Sequence, residues 1–450
     1  MKRLELLNQT YNKIFKALPW LDCYVSDIPC AFDDMPTTLN TEFRKLDFTS
    51  TNPRLVRQTD HSWEEIEAMA VAEPNINFII ASGERKLVYH FAIIETILAK
   101  HPNLYIATSN LTNEYALERL IAKGLKSKLL YGSMMPCFDA GNTRGMIIFG
   151  KMDWETKCAI AGNNFRRLLG EPEVHVPEVA VPEISPFMID AHTHTVPLDF
   201  PTRFPPYAAE PNWSVWKRKI NSLWVDDMFV TPSLALHDSS NHSSKEVIGD
   251  FCRDSQGHAF YFEVFDPNHA EETAAKLEES LKDPLCIGIK IHPVEHKVYA
   301  SDPRYEIAFQ KAAKYDKAIM SHTWGLSDYN PSQRFGTPDQ FAVHLEKYPQ
   351  VRFVFGHTGG RPNGYLQAAE MCRRFPQTYG DFAGDIFYYG HLHHAIKDFG
   401  VDRLMFASDS YWFDERSMLG IFLETGLSDT DLWKMLRMNA LSVYRPNINS

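Results

Sequence analysis

The sequence predicts an α/β protein in which residues 187–450 form a (β/α)8 TIM barrel and residues 1–170 form a smaller α/β domain. Three observations lead to this prediction. A Pro-rich segment, residues 171–186, separates two parts of the chain that differ in character. After this segment, short apolar runs alternate with helix-like segments, and polar residues stand where the apolar runs end.

The Pro-rich segment contains four prolines among alternating Glu and Val residues. Proline removes a backbone donor and biases the residue before it toward an extended conformation. We therefore expect an extended linker between the two domains.

Eight strand-like runs follow the linker, at residues 188–194, 226–234, 259–267, 287–293, 318–323, 352–358, 378–384 and 403–410. Helical patterns lie between them, for example at Glu271–Leu281, Tyr305–Tyr315, Pro338–Tyr348 and Tyr365–Phe375. Eight such units are typical of a closed parallel barrel. An open doubly wound sheet also alternates and is the competing interpretation, but the polar strand ends favour the barrel.

Composition excludes several classes of protein. The formal net charge of −11 argues against a general basic field for nucleic acid. No apolar run reaches the length of about 18 residues that a membrane span needs, and residues 1–20 lack the apolar stretch of a signal peptide. Seven scattered cysteines without a CxxC pair suit free thiols. We expect a cytoplasmic protein that binds neither nucleic acid nor membrane.

Polar side chains stand at the ends of five predicted strands. They are His192 and His194 on the first, Lys290 and His292 on the fourth, His322 on the fifth, His357 on the sixth and Asp409 on the eighth. In a (β/α)8 barrel, the carboxyl ends of the strands form the active site. Residues two apart on a strand point to the same side. These side chains should therefore converge.

Imidazoles and a carboxylate in one concave site are ligands for a divalent metal. We expect zinc, with manganese or another divalent ion as the alternative. Asp409 could ligate the ion, accept a proton from metal-bound water, or do both. Each residue alone has a structural explanation, since an HxH pair occurs by chance and Asp409 could cap a helix. Their convergence in one barrel favours the metal site.

Three further assignments stay open. Lys290 could form a carbamate that bridges two ions, hold a substrate carboxylate, or point into the packed interior. His292 could orient substrate or ligate. Trp324, Arg361 and Arg203 lie near strand ends and are candidates for substrate contacts. A histidine cluster at residues 391–394 falls in a helical pattern, which favours a place on the surface.

The segments IDAHTH, GIKIHP, IMSHTW, RFVFGHTGG and LMFASDS resemble those of the amidohydrolase superfamily. They are most similar to the amidohydrolase-related branch, which includes aminocarboxymuconate-semialdehyde decarboxylase and lactone hydrolases. By this resemblance, His192, His194, His322 and Asp409 match the metal ligands. His357 matches a histidine that acts on substrate or on metal-bound water in mononuclear relatives and binds a second ion in binuclear ones. The number of ions, one or two, stays open.

Residues 60–170 resemble the last three strand–helix units of the barrel. Residues 73–83 parallel 348–359, residues 99–109 parallel 373–383, residues 124–136 parallel 400–410, and residues 161–170 parallel 437–446. In this alignment Ser82 stands in the place of His357 and Met134 in the place of Asp409. Generic α/β similarity is the alternative explanation. Residues 1–60 are too few and too irregular to supply five missing strands.

Three functions are compatible with these patterns. The first is hydrolysis of an amide, lactone or other ester of a small molecule by metal-activated water, with Asp409 as the base and His357 as a second catalytic group. The second is non-oxidative decarboxylation or another C–C cleavage on the same metal site. The third is ligand binding without catalysis. We expect the N-terminal domain to pack against a barrel at the active-site mouth or an oligomer interface, and the chain to form a dimer.

Overall fold

The computed structural model describes residues 1–28, 30–32, 41–83, 87–195, 224–410 and 412–446. Two parts of the chain carry regular structure, and residues 171–187 between them contain neither helix nor strand. None of the helices in the described ranges combines the length and apolar character needed to cross a membrane.

Within its described residues, the N-terminal region contains six short strands and seven α-helices. The strands are β1 (Leu21–Asp22), β2 (Glu42–Phe43), β3 (Arg54–Arg57), β4 (Phe78–Ala81), β5 (Leu104–Ala107) and β6 (Leu129–Leu130). The helices are α1 (Lys2–Ala17), α2 (Trp63–Ala72), α3 (Phe91–Lys100), α4 (Ala116–Ala122), α5 (Ala140–Ile148), α6 (Trp154–Cys158) and α7 (Asn164–Leu169). Strands β3 to β6 form a parallel sheet in sequence order, and β1 pairs with β2 in parallel.

Eight strands form the second sheet, all parallel and in sequence order. They are β7 (Met188–Thr195), β8 (Val225–Pro232), β9 (Ala259–Val264), β10 (Cys286–Ile291), β11 (Ala318–His322), β12 (Phe353–Gly356), β13 (Thr378–Phe382) and β14 (Leu404–Phe406). The backbone of Asp409 donates to His192 O at 2.9 Å, and His194 N donates to Ser410 O at 2.7 Å. These bonds join the last strand to the first, so the predicted barrel is confirmed.

The barrel helices lie between and after these strands. They are α8 (Ser233–His237), α9 (Ser244–Asp254), α10 (Ala270–Ser280), α11 (Pro293–His296), α12 (Glu306–Tyr315), α13 (Ala342–Lys347), α14 (Pro362–Arg374), α15 (His391–Phe399), α16 (Glu415–Glu424), α17 (Asp429–Trp433) and α18 (Asn439–Tyr444). Below the strand ends, the inside of the barrel is filled by apolar side chains that include Phe229, Phe260, Phe262 and Met320, with Tyr444 packed against them.

Helix α9 illustrates why the sequence folds as it does. Ser243 Oγ accepts a hydrogen bond from Glu246 N at 3.2 Å, and the Glu246 carboxylate accepts one from Ser243 N at 3.0 Å. This capping box satisfies two backbone donors at the helix start. Three apolar residues spaced three and four apart, Ile248, Phe251 and Cys252, are buried, so the same segment places one face in the core.

Within the described residues, the region before residue 60 contains three strands, β1, β2 and β3, and so does not supply the five that a second barrel would need. Strand β3 adds a fourth strand to the three that the repeat predicts. These strands are only two to four residues long, which is too short to show an alternating or continuous apolar pattern.

The two regions share local structure in the turns that follow β6 and β14. Met134 N donates to Tyr24 O at 2.9 Å, just as Asp409 N donates to His192 O at 2.9 Å. Met134 and Asp409 both adopt a positive φ, 61° and 60°, which is uncommon for residues other than glycine. The structure therefore places the two residues in equivalent positions.

The helices after these strands also match. Residues 154–169 and 429–444 each form an α-helix interrupted by a π-helical turn, at Ala159–Asn163 and Lys434–Met438. The Asn164 side chain donates to Lys126 O and Leu129 O, both at 2.9 Å. Asn439 donates to Val401 O at 2.7 Å and Leu404 O at 2.6 Å. Asn164, not the neighbouring Asn163 that the sequence alignment selects, is thus the counterpart of Asn439.

Candidate metal centre

The polar residues predicted at the strand ends meet in one pocket of about 280 Å³. The residues that line it include His192, His194, Lys290, His292, His322, Trp324, His357 and Asp409. His192 and His194 lie two apart on β7, and the others lie at or just after the carboxyl ends of their strands. Parallel strand order alone brings them to one mouth of the barrel.

Both histidines of β7 carry their ring proton on Nδ1. His192 Nδ1 lies 3.0 Å from Asp381 Oδ2, and His194 Nδ1 lies 3.2 Å from Thr231 O. A carboxylate and a carbonyl only accept hydrogen bonds, so each Nδ1 must donate. Burial, followed by the charge of Lys290, lowers the pKa of His192 well below its usual value. Nε2 of a neutral His192 ring therefore carries no proton, and we call such a nitrogen bare.

The bare nitrogens face one another and a carboxylate. His192 Nε2 lies 3.2 Å from His194 Nε2, which lies 3.3 Å from Asp409 Oδ1. Ligand atoms of these three residues all lie within 4.8 Å of one another. Three lone pairs at such distances repel one another unless a cation lies between them. The donor set therefore fits a divalent ion held by two imidazoles and one carboxylate.

A second pair of histidines lies beside the first. His357 Nδ1 lies 3.1 Å from Ala383 O, which leaves Nε2 bare, and this atom is 3.1 Å from His322 Nδ1. His322 Nε2 contacts Gln333 Oε1 at 3.2 Å. Burial and the neighbouring His357 lower the pKa of His322 well below its usual value. These two nitrogens could complete the sphere of one ion or hold a second.

Asp409 is ionised in this setting. Burial alone would raise its pKa, but the contact with His194 and the neighbouring imidazoles outweigh burial and lower it. Its backbone adopts a positive φ of 60°, which turns the residue out of the strand direction. Asp409 therefore presents a negative charge to the pocket rather than serving only as a helix cap.

Asp381 orients the site and was not among the residues predicted from the sequence. Its Oδ2 accepts from His192 Nδ1 at 3.0 Å, and its Oδ1 accepts from His357 N at 2.7 Å. Burial raises the pKa of Asp381 to about 6. A carboxylate behind a ligating imidazole fixes the ring and raises its basicity. The aspartate in TYGDFAG, at the end of the seventh strand, was the available sequence signal.

Lys290 reaches the pocket, so it does not point only into the packed interior. Its Nζ lies 2.7 Å from His192 Nε2 and 3.1 Å from Met320 Sδ. The residue is 1% exposed, and burial lowers its pKa to about 8. Within the described residues, no carboxylate lies within ion-pair distance of this amine. A buried amine of this kind calls for an anionic partner.

His292 and Trp324 line the pocket at the sides of His322. The His292 and His322 rings stack at 4.2 Å, and the Trp324 ring lies nearly parallel to His322 at 6.2 Å. His292 Nδ1 accepts from Glu295 N at 3.1 Å. The neutral ring must then carry its proton on Nε2, which suits a donor to substrate better than a metal ligand.

The structure describes one of the two arginines proposed for substrate contact. Arg361 does not line the pocket. It donates to Asp385 Oδ2 at 3.1 Å, and Asp385 does line it, so Arg361 neutralises a pocket residue. Arg203 lies outside the described residues.

The predicted surface position of the 391–394 cluster is wrong for His391. This residue is 0% exposed and packs against Phe32, Tyr365 and Phe382. Burial lowers its pKa to about 3. The apolar face of α15 turns toward the barrel core, and His391 lies on that face together with Leu392, Ala395 and Phe399.

Aromatic residues that the sequence did not single out form the outer wall of the pocket. Trp412 and Phe413 follow Asp409, and Tyr89 comes from the N-terminal region. The rings of Tyr89 and Trp412 lie 5.8 Å apart at 67°. Flat apolar walls above a polar floor are suited to a ring-shaped ligand with a polar group at one end.

A closed parallel barrel that carries imidazoles and a carboxylate at the carboxyl ends of its strands is typical of metal-dependent barrel enzymes. The family model described as Amidohydrolase matches residues 189–445 of the chain. This match covers more than half of the sequence and all of the candidate metal ligands. The chain therefore belongs to the amidohydrolase family, and the predicted resemblance to that superfamily is confirmed.

Several solved structures are similar to the barrel. They include 2,6-dihydroxybenzoate decarboxylase from Rhizobium, with 14% identity, 58% of this chain and 99% of that chain covered, and a TM-score of 0.45. A dihydroxybenzoic acid decarboxylase from Polaromonas sp. JS666, solved with manganese and 2-nitroresorcinol, shows 16% identity, coverages of 59% and 98%, and a TM-score of 0.46. A putative amidohydrolase from Staphylococcus aureus shows 15% identity, coverages of 57% and 99%, and a TM-score of 0.43. No curated protein matches the chain.

Proposed function

We propose that the protein is a metal-dependent enzyme that removes CO2 from a small, ring-containing carboxylic acid without a redox step. The observation that carries this proposal is Lys290, a buried amine that faces the pocket with no ion-paired carboxylate among the described residues. The acids whose charges act on this amine are Asp381 and Asp409. Both oxygens of Asp381 already accept hydrogen bonds, from His192 Nδ1 and His357 N, and Asp409 Oδ1 lies against His194. An anionic substrate group would supply the missing partner.

His192, His194 and Asp409 would hold the divalent ion, with His322 and His357 beside them. The bound ion would act as a Lewis acid that offsets negative charge on the substrate. Zinc and manganese both suit nitrogen and oxygen ligands. Lys290 adds a positive charge at the floor of the pocket, which favours binding of a carboxylate and of any neighbouring oxyanion.

In the proposed reaction, the bond between the carboxylate carbon and the ring carbon breaks, and its electron pair stays on the ring carbon. CO2 leaves, and one proton must replace it on that carbon. Lys290 stabilises the developing negative charge from one side. Asp409 and His357 line the same pocket and can carry a proton. The pocket walls formed by Trp324 and Trp412 would hold the ring flat.

Hydrolysis is the second candidate, and Asp409 is the observation that favours it. Its carboxylate is ionised and lies 3.3 Å from the bare nitrogen of His194. A base at this point could take a proton from water while the water oxygen adds to a substrate carbonyl. The leaving amine or alcohol would then depart protonated. An amide, lactone or other ester would suit this reaction.

A panel assay separates the two reactions. Purified protein with measured metal content is given hydroxybenzoates and unsaturated carboxylic acids on one side and amides and lactones on the other. Release of CO2 and release of acid are followed in parallel. The proposal expects CO2 release from a carboxylic acid, and acid release from amides or lactones alone would contradict it. Binding without turnover in either arm would favour a ligand-binding protein.

Two variants sharpen this assay. Lys290→Met removes the charge and keeps much of the length, so KM for the carboxylate substrate should rise about tenfold or more, since hydrogen bonds to charged groups contribute about 1.5–3 kcal/mol. Lys317→Met is the control, because Lys317 Nζ donates to the Cys286 backbone at the far end of β10. Carboxylation of Lys290, one of the alternatives that the sequence leaves open, would reverse this charge and add oxygen ligands, so mass spectrometry of the intact protein should find the unmodified lysine.

A further inference from the structure

The N-terminal region contributes a side chain to the pocket of the barrel. Tyr89 lies in the 3-10 turn Leu87–His90 after β4. Two hydrogen bonds hold this turn in place. Val88 O accepts from Asn113 Nδ2 at 2.8 Å, and His90 Nδ1 accepts from Trp63 Nε1 at 3.0 Å. Leu87 is 0% exposed whereas Tyr89 is 63% exposed. The turn thus holds Tyr89 outward over the pocket.

The partner of Tyr89 in the barrel is directly linked to the candidate metal centre. The Tyr89 ring meets the Trp412 ring edge to face at 5.8 Å. Trp412 N donates to Asp409 O at 2.9 Å. Both aromatic residues and Asp409 line the same pocket. The outer wall therefore contains rings from both regions of the chain.

This placement is fixed by an interface in which the two regions contact each other through equivalent residues. Asp139 N donates to Phe387 O at 2.7 Å, and Asp414 N donates to Thr112 O at 2.9 Å. Asp139 precedes Asp414, and Thr112 precedes Phe387, by the same number of residues as Met134 precedes Asp409. The two hydrogen bonds therefore join equivalent residues. Each region thus makes the same bond to the other, which is the property of a two-fold symmetric contact.

Helices α5 and α16, which follow the equivalent strands β6 and β14, cross at this interface with their backbones in contact. A Cβ atom at Gly141 would lie 2.8 Å from the Gly420 carbonyl carbon, and one at Gly145 would overlap the Arg416 carbonyl oxygen. Gly145 and Gly420 occupy equivalent positions in the two helices. The crossing leaves no room for sliding, so it sets the position of Tyr89 relative to Trp412.

We infer that the N-terminal region acts as a built-in second subunit that completes the active site, and that Tyr89 is a specificity-determining residue. Its ring would contact the part of the substrate that points away from the metal centre. The preferred substrate would then carry an apolar or aromatic extension opposite its carboxylate. This inference rests on the proposed function, since it extends the same pocket outward. It also implies that a homodimer, if one forms, uses a face other than α16.

The test compares the binding of two acids that share one head group. Salicylate and 3-hydroxy-2-naphthoate carry the same carboxylate and hydroxyl, and the second has an additional ring. Their dissociation constants are measured by titration calorimetry on the metal-loaded full chain, in wild type, Tyr89→Ala, Tyr89→Phe and Tyr299→Ala. Tyr299 is the control, because it is 50% exposed on the barrel and packs against Phe335 outside the pocket lining.

The dissociation constant of wild type for the naphthoate should be about tenfold lower than that for salicylate, because one aromatic contact with its buried area contributes on the order of 1.4 kcal/mol. Tyr89→Ala should remove most of this preference, whereas Tyr89→Phe and Tyr299→Ala should keep it, with metal content unchanged in all four proteins. The same preference in Tyr89→Ala as in wild type would overturn the role of Tyr89 alone. Failure of both acids to bind wild type would overturn the proposed function together with this inference.

Discussion

His192 and His194 direct bare Nε2 atoms toward each other at 3.2 Å, while their Nδ1 atoms are bound to Asp381 and to the Thr231 carbonyl. Neither partner can donate a proton, so the tautomer of both rings follows from their contacts. Bare nitrogens at this distance, with Asp409 beside them, are arranged for a cation and not for each other. The metal-dependent chemistry proposed for this protein depends on that relationship.

Asp409→Asn tests the proton-transfer role of this carboxylate. The amide keeps the shape and an oxygen ligand but loses the charge and the basicity. Turnover should fall by roughly 10²–10⁴-fold, the usual contribution of a general acid or base, with metal content largely retained. Asp402→Asn is the control, since Asp402 pairs with Lys434 on the surface before β14. Near-full activity of Asp409→Asn would leave Asp409 a structural role only.

Asp381→Asn tests the support behind the metal ligands. Both oxygens of Asp381 accept, one from His192 Nδ1 and one from His357 N. An asparagine must place its NH2 group against one of these donors. Metal affinity, measured by competition with a chelator, should fall about 10–100-fold. Asp398→Asn, which alters a carboxylate on α15 that pairs with Arg373, should leave the affinity unchanged; equal losses in the two variants would count against the assignment.

Gly145→Ala tests the crossing of α5 and α16. The added methyl group would overlap the Arg416 carbonyl oxygen, and overpacking of this kind costs about 1–3 kcal/mol or more. Gly249→Ala in α9 is matched to it, because the nearest atoms to its Cβ would belong to two flexible side chains, Arg253 at 3.3 Å and Lys245 at 3.7 Å. There the better helix propensity of alanine should raise the thermal midpoint slightly. A midpoint for Gly145→Ala at or above wild type would contradict the close contact.

Asp139 gives the interface a pH dependence. Burial and the nearby Glu424 raise the pKa of Asp139 to about 7 in the folded protein, against about 4 in an unfolded chain. Between these values the folded state holds the proton and the unfolded state does not. Stability should therefore fall as pH rises from about 4 to about 7, by up to about 1.4 kcal/mol per pH unit.

Asp139→Asn keeps the N-cap of α5 and removes the titration, so it should flatten this part of the stability curve in chemical denaturation. Asp153→Asn is the control at the N-cap of α6, where hydrogen bonds with Thr156 lower the pKa of the aspartate. Its titration lies below the tested range. An Asp139→Asn curve parallel to that of wild type between pH 4 and 7 would contradict the assignment.

The barrel was predictable from the sequence because six of its eight strands have five to eight residues, enough to show apolar runs, and because ligand residues stand at several strand ends. The site was predictable for the same reason, since parallel order brings His192, His322 and Asp409 to one mouth. Asp381 was missed because one aspartate beside an apolar run carries no metal spacing. Its role appears only when β13 is placed next to β12.

The N-terminal region was harder to predict. Strands β1 and β2 contain two residues each, and their identity follows from pairing, not from periodicity. Tyr89 was beyond sequence reasoning, because its role depends on how two regions pack across α5 and α16. The burial of His391 was missed because three histidines at the start of a helix make a polar sequence pattern. In the structure, the His391 ring lies on the apolar face of α15.

Metal content measured on the full chain tests the central claim most directly. Elemental analysis after chelator-free purification should find one or two divalent ions per chain. The double variant His192→Ala, His194→Ala should lose the ion and keep the fold, because the apolar core of the barrel lies below these residues. A wild-type protein without metal that regains none when zinc or manganese is added would contradict the account.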